Sequence, residues 1–206
     1  MNVHSYVEGG LIHNMTMPNK REDIVRSAME LIAEHGFHGA PMAMVAERAG
    51  VGAGTIYRYF ENKDILIVEM YREIEAKMYS QILDGYANEA PIKVRFIHLW
   101  TALLRYFIQF PLHFRYLEQF RNSPYGVACR RDKILGNNTG EYNVFRELFE
   151  QGAVQQVVKD LPLVILFSLS FGPLLAVVRD HILGFVELDE TMINRTIEAC
   201  WDAVKR

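Results

Sequence analysis

An all-α fold follows from three features of this 206-residue chain. Apolar side chains recur three and four positions apart along most of its length, alternating runs of β-branched residues are nearly absent, and capping residues or glycines punctuate the periodic stretches. Half of the residues are hydrophobic, so the chain is globular rather than disordered. Its length accommodates a small N-terminal domain of about 55 residues and a larger domain with its own core.

The elements can be justified in order. Residues 1–18 contain no continuous apolar run and no small-residue cleavage pattern, which predicts a flexible tail and neither a signal peptide nor a membrane anchor. Asn19 caps a first helix, accepting from the amide three residues on while Glu22 reaches back, and Ile24, Ala28, Leu31 and Ile32 carry its apolar face toward Gly36. Pro41 suits the first position of a second helix, where no N–H is needed; Val45, Ala46 and Ala49 point inward and Gly50 stops it. A third helix covers 53–60. Asn62 caps a fourth, whose stripe of Ile67, Tyr71, Ile74 and Met78 runs toward Gly85 and joins the two halves of the chain.

Another helix follows Pro91 with Phe96, Trp100, Leu103 and Phe107 on one face, and Pro111 starts the next with Phe114, Leu117 and Phe120. Residues 121–126 and 136–140 read as breaks, and Thr139 opens a helix carrying Phe145, Leu148 and Phe149. The stretch 161–178 is the most apolar and reaches the lower limit of a membrane span. Pro162, the Gly172-Pro173 pair and the Arg179-Asp180 pair argue against a membrane, and no second such span exists. Burial on several sides is expected instead, against its own domain and against a partner subunit. A last helix, capped by Asp189, carries Ile193, Ile197, Cys200 and Val204.

Chemistry concentrates in residues 41–63, two short helices joined by a glycine turn. Such a pair places its second helix in the major groove of DNA. Ala53 and Gly54 let backbone approach base edges, while Thr55, Tyr57, Arg58 and Tyr59 bring hydroxyls and a guanidinium. Lys63 lies in the first turn of a helix, where exposed amides favour phosphate. The net charge of −3 and the pI near 6.2 give no broad basic stripe. One such domain binds DNA weakly, so a dimer with recognition helices about 34–36 Å apart on a palindromic site, and a strong salt dependence, are expected.

Catalytic patterns are missing from the sequence. No glycine-rich loop follows a strand, no serine or cysteine has a recognisable partner, and the histidines lack metal-ligand spacing, so neither enzyme activity nor a metal or cofactor is expected. Cys129 and Cys200, far apart, fit reduced thiols in a cytoplasmic protein.

The run GFHGAPMAMVAERAGVGAGTIYRYFENKDIL, residues 36–66, resembles the DNA-binding domain of the tetracycline-repressor (TetR/AcrR) family. The resemblance implies phosphate contacts from Thr55, Tyr59 and Lys63, a base or backbone contact from Tyr57, and base reading by Ala43, Ala53, Gly54 and Arg58. The chain departs from the family at Ala40 and Pro41 and at Gly52, where hydroxyl caps are usual. The resemblance also implies a helix-turn-helix domain at 19–64 joined by a long helix to an effector-binding and dimerisation domain at 65–206. The homodimer would form through the helices at 161–183 and 189–205 as a four-helix bundle, although the stripe on the last helix equally fits a protomer's own core. Similar regulators bind a small effector among these helices. That makes Trp100, Phe107, Phe110, Phe114, Phe145, Phe149 and Phe171 candidate walls for an apolar or aromatic ligand, although aromatics at helical spacing also fit a plain core. His98, His113, Arg105 and Asn122 are candidate polar contacts. The implied function is a repressor released from its operator by that effector; the alternative is a constitutive dimeric DNA-binding regulator without one.

Overall fold

The computed structural model describes residues 19–135 and 144–206, and there all regular structure is helical apart from one isolated bridge between Val158 and Lys205. The tail at 1–18, the break at 136–140 and the helix opening at Thr139 lie outside the described residues.

The N-terminal core forms where three short elements close over a longer one. Helix α1 (Lys20–His35) starts at Asn19, whose side chain accepts from the amide of Arg21, two residues on rather than three. Glu22 accepts from the Asn19 side-chain amide at 2.7 Å instead of from its backbone. The capping box is therefore closed by side chains. Pro41 is the cap of α2 (Met42–Arg48), not its first helical residue. Helix α3 (Ala53–Ile56) is half the expected length. Beyond Ile56 the amides of Arg58 and Tyr59 return to the carbonyls three residues back, so 57–59 wind as a tight turn. Helix α4 (Lys63–Ile82) begins at Asn62, whose side chain accepts from the Ile65 amide at 2.9 Å. Ile24, Leu31, Val45, Ile56, Phe60 and Met70 fill this core.

The second core is built on α5 (Ile92–Gln109), with α8 (Val144–Val154), α9 (Leu163–Ile182) and α10 (Glu190–Val204) packed around it. Its centre is aromatic. Trp100, fully buried, is stacked between Phe96 at 3.9 Å and Phe171 at 4.7 Å, with Phe145 and Phe149 edge-on. Helix α6 (Pro111–Arg121) serves both cores: Phe114 points into the second, Tyr116 and Phe120 into the first, and Leu117 packs on both.

Helix α7 (Pro124–Leu135) begins inside the break expected at 121–126. The signal was a serine before a proline. Ser123 supplies its hydroxyl oxygen to the Gly126 amide at 3.3 Å, and Pro124 needs no N–H in the first turn. A Cβ on Gly126 would stand 2.1 Å from the Phe120 carbonyl oxygen, so only glycine allows α6 and α7 to meet this closely.

Helix α9 is long and apolar enough to cross a bilayer, and only 22% of its apolar window is buried within the protomer. Ile165 and Leu169, one turn apart on α9, are exposed, as is Leu161 just before the helix.

Candidate nucleic-acid interface and cavity

The glycine turn is made by Gly50, whose φ of 65° suits a residue without a side chain, and by the Val51 amide returning to the Ala46 carbonyl at 2.9 Å. Val45, Ala46, Ile56 and Phe60 face inward, the last two with no exposure. They fix the rotation of α3. Ala43, Ala53, Gly54, Tyr57, Arg58 and Tyr59 consequently share the outer side, with Thr55 half-buried. Tyr57 is 55% exposed, far from the buried aromatic its neighbour Phe60 is. A Cβ on Gly54 would meet nothing within 4 Å, so the protein's own packing does not require glycine there. Neither Pro41 nor Gly52 makes a side-chain capping bond, in line with the departures noted in the sequence.

Ion pairing resolves the charge balance of this domain. Arg21 pairs with Glu69 and Glu73, Arg26 with Asp23, and Arg48 with Glu34. Arg58 has no such partner among the described residues. Asp23, Glu34, Glu69 and Glu73 are thus taken by other arginines, while the Arg58 guanidinium stays exposed. Lys63 is the less free of the two: it is half-buried, its ammonium donates to the Phe37 carbonyl, and burial lowers its pKa against the opposing pull of Asp64. Its position in the first turn of α4 is therefore fixed by the loop between α1 and α2, a partner that sequence spacing does not reveal.

Above α4 lies a cavity of about 540 Å³. Of the seven aromatic candidates, Phe107, Phe114, Phe145 and Phe171 line it. Trp100 and Phe149 are a layer behind, buttressing Phe171 and Phe167. Phe110 stands apart at the junction of α5 and α6, with the Lys77 ammonium 4.0 Å above its ring. Of the four polar candidates only Asn122 reaches the wall. Arg105 pairs with Glu190, His98 lies against the Ile82 carbonyl, and His113 is bonded to the Tyr106 hydroxyl at 2.7 Å, its pKa pushed down to about 4 by burial and by Lys77.

The wall also holds groups that the sequence does not assign to a ligand site: Glu75, Glu118, Arg121, Arg130, Arg146 and Arg179, together with Tyr71 and Cys129. Phe114, Glu118 and Arg121 are spaced four and three apart on α6, so helical periodicity from Phe114 would have reached two of them. Tyr71 donates to Glu75 at 2.8 Å, and the Cys129 thiol donates to the Tyr71 hydroxyl at 3.4 Å.

Helices α6 and α7, which line the cavity, are tied to the N-terminal domain by a set of contacts. Tyr116 donates to the Ile67 carbonyl at 2.6 Å and Tyr125 to Asp64, while Phe37 packs edge-on against both tyrosines. Phe120 is part of the cavity wall and is stacked on Tyr71 at 4.2 Å.

Comparison with known proteins is consistent with this arrangement. Residues 24–70 match the profile of bacterial regulatory proteins of the tetR family, and residues 91–205 match the tetracyclin repressor-like C-terminal domain. An HTH-type transcriptional regulator of Haemophilus influenzae, itself uncharacterized, is 24% identical over 187 residues, covering 90% of this chain and 95% of that protein. The structure of a TetR family protein from Vibrio parahaemolyticus superposes with a TM-score of 0.72 at 31% identity, covering 91% of this chain and 99% of that one. FadR of Bacillus subtilis, solved in complex with stearoyl-CoA, shares the fold, with a TM-score of 0.69 at 20% identity and coverage of 89% and 98%.

Proposed function

The chain belongs to the tetR family of transcriptional regulators, and from that premise we propose that it is a repressor released from a palindromic operator by a small ligand bound in the 540 Å³ cavity. It is a DNA-binding regulator and not an enzyme. The reading is carried by α6, which lines the cavity and grips the N-terminal domain: a ligand that displaces it also displaces the Ile67 and Phe37 contacts. The cavity favours this ligand-responsive scheme over a constitutive regulator. That a similarly folded protein was solved with stearoyl-CoA supports the same choice.

The division of labour we assign is a DNA-binding unit at 19–64 and an effector and dimerisation unit at 65–206, in a cytoplasmic homodimer. Thr55, Tyr59 and Lys63 hold phosphates, with Tyr57 at backbone or base and Ala43, Ala53, Gly54 and Arg58 toward base edges. The exposed apolar row on α9, with Met192 of α10, supports a two-fold four-helix bundle at 161–183 and 189–205.

Selection from random DNA is the direct test. The expected result is a palindrome with half-sites about one helical turn apart, and recovery of an asymmetric site overturns the dimeric scheme. A ligand that releases the operator must lose affinity in saturating operator DNA by the same factor. Two substitutions separate the roles on the outer face. Arg58→Ala is expected to relax preference at one base pair per half-site by about tenfold or more. Lys63→Ala is expected to weaken specific and random DNA alike and to flatten the salt slope by about one unit per half-site. Anisotropy titrations at several salt concentrations measure both, and equal losses on specific and random DNA for Arg58→Ala would remove it from base reading.

A further inference from the structure

We propose that the ligand of the cavity is an amphipathic anion, an apolar body ending in an oxyanion held by arginines at the mouth. The inference rests on the ligand-responsive reading above and narrows its ligand from an apolar molecule to a charged one.

The cavity is divided by depth. Leu103, Phe107 and Phe114 on its wall are buried, whereas Arg121, Arg130 and Arg179 are exposed and therefore form the rim. One carboxylate, Glu118, stands among these three cations, and it is taken by Arg179, whose Nε donates to it at 2.9 Å. Arg121 and Arg130 have no salt-bridge partner among the described residues. They also repel one another. Burial lowers the Arg121 pKa, Arg130 and Arg179 lower it further, and only Glu118 opposes them. The carboxyl ends of α6 and α9 offset part of the charge on Arg121 and Arg179, whereas Arg130 lies in the interior of α7. The other carboxylate of the wall, Glu75, accepts from Tyr71. Two guanidiniums without a salt-bridge partner over an apolar well make a receptor for an oxyanion, because their planar forks match carboxylate, sulfonate or phosphate oxygens while the well takes the tail.

Two dyes with the same ring system decide the matter on the full-length protein. 8-Anilinonaphthalene-1-sulfonate carries an oxyanion, and N-phenyl-1-naphthylamine is the same body without it. The sulfonate is expected to bind at least about tenfold more tightly, and Arg130→Gln or Arg121→Gln to weaken it by about tenfold or more while leaving the neutral dye within about twofold. Arg130→Lys, which keeps a charge, is expected to retain most of the binding, and this guards against a variant that simply folds poorly. Tighter binding of the neutral dye, or equal losses of both dyes on substitution, overturns the charged ligand but leaves the ligand-responsive reading standing. Failure of the unsubstituted protein to bind either dye overturns both.

Discussion

Replacing Ile165 and Leu169 together by arginine is expected to yield a monomer that loses operator affinity by about 10²- to 10⁴-fold. Both side chains are more than a third exposed, one turn apart on an α9 that is otherwise apolar and mostly uncovered by its own protomer. Leucine and isoleucine in such a row lose less within the protomer than core residues do when replaced, and in the proposed dimer two added guanidiniums would face their symmetry mates across a two-fold axis. The loss on DNA follows from valency. In the proposed scheme each half-site is held by one arginine without a salt-bridge partner, one half-buried lysine and a few hydroxyls, so most of the affinity would come from presenting two such faces at once. Light scattering with chromatography reads the first effect and anisotropy the second. A variant that stays dimeric moves the interface elsewhere, and a monomer with undiminished affinity removes the argument from valency.

Trp100→Ala is expected to cost about 3–5 kcal/mol of stability, the largest loss from any single truncation in the second core. The indole is fully buried and sandwiched between Phe96 and Phe171, with Phe145 and Phe149 against its edges. Its N–H has no hydrogen-bond partner among the described residues, so the ring contributes there through packing. Trp100→Phe keeps most of the stack and leaves no orphaned donor, and is expected to cost much less. Denaturant midpoints at an unchanged slope give both values. A loss below about 1 kcal/mol for the alanine variant would mean that Phe171 and Phe145 collapse into the gap, and the cavity they line would then change shape as well.

Local signals explain which parts of this molecule could be read from sequence. Asn19, Asn62 and Asp189 begin α1, α4 and α10 because a capping side chain needs only amides a few residues away. The inward set of the glycine-turn pair was legible for the same reason: Val45, Ala46 and Ile56 meet across one turn. The premature end of α3 was not, since Phe60 is drawn into a core formed with α1 and α4, and tertiary packing outweighs its helical period. The cavity wall was half legible. Phe107 and Phe114 lie on the apolar faces that periodicity finds, but periodicity does not distinguish them from Trp100 or Phe149, which face the same core one layer deeper. The arginines of the rim come from three different helices, and no spacing along the chain brings Arg121, Arg130 and Arg179 together.

Phe120 gives the molecule a constraint on its history. Its ring belongs at once to the wall of the proposed ligand cavity and to the core of the helix-turn-helix domain. A substitution there that admits a new ligand must also change the resting affinity for the operator. Under the proposed ligand-responsive scheme, lineages descending from such a protein could not retune ligand choice and operator affinity as independent traits. Compensating changes should accompany any drift at this position, and Tyr71, stacked on the ring at 4.2 Å, is where the first of them is expected.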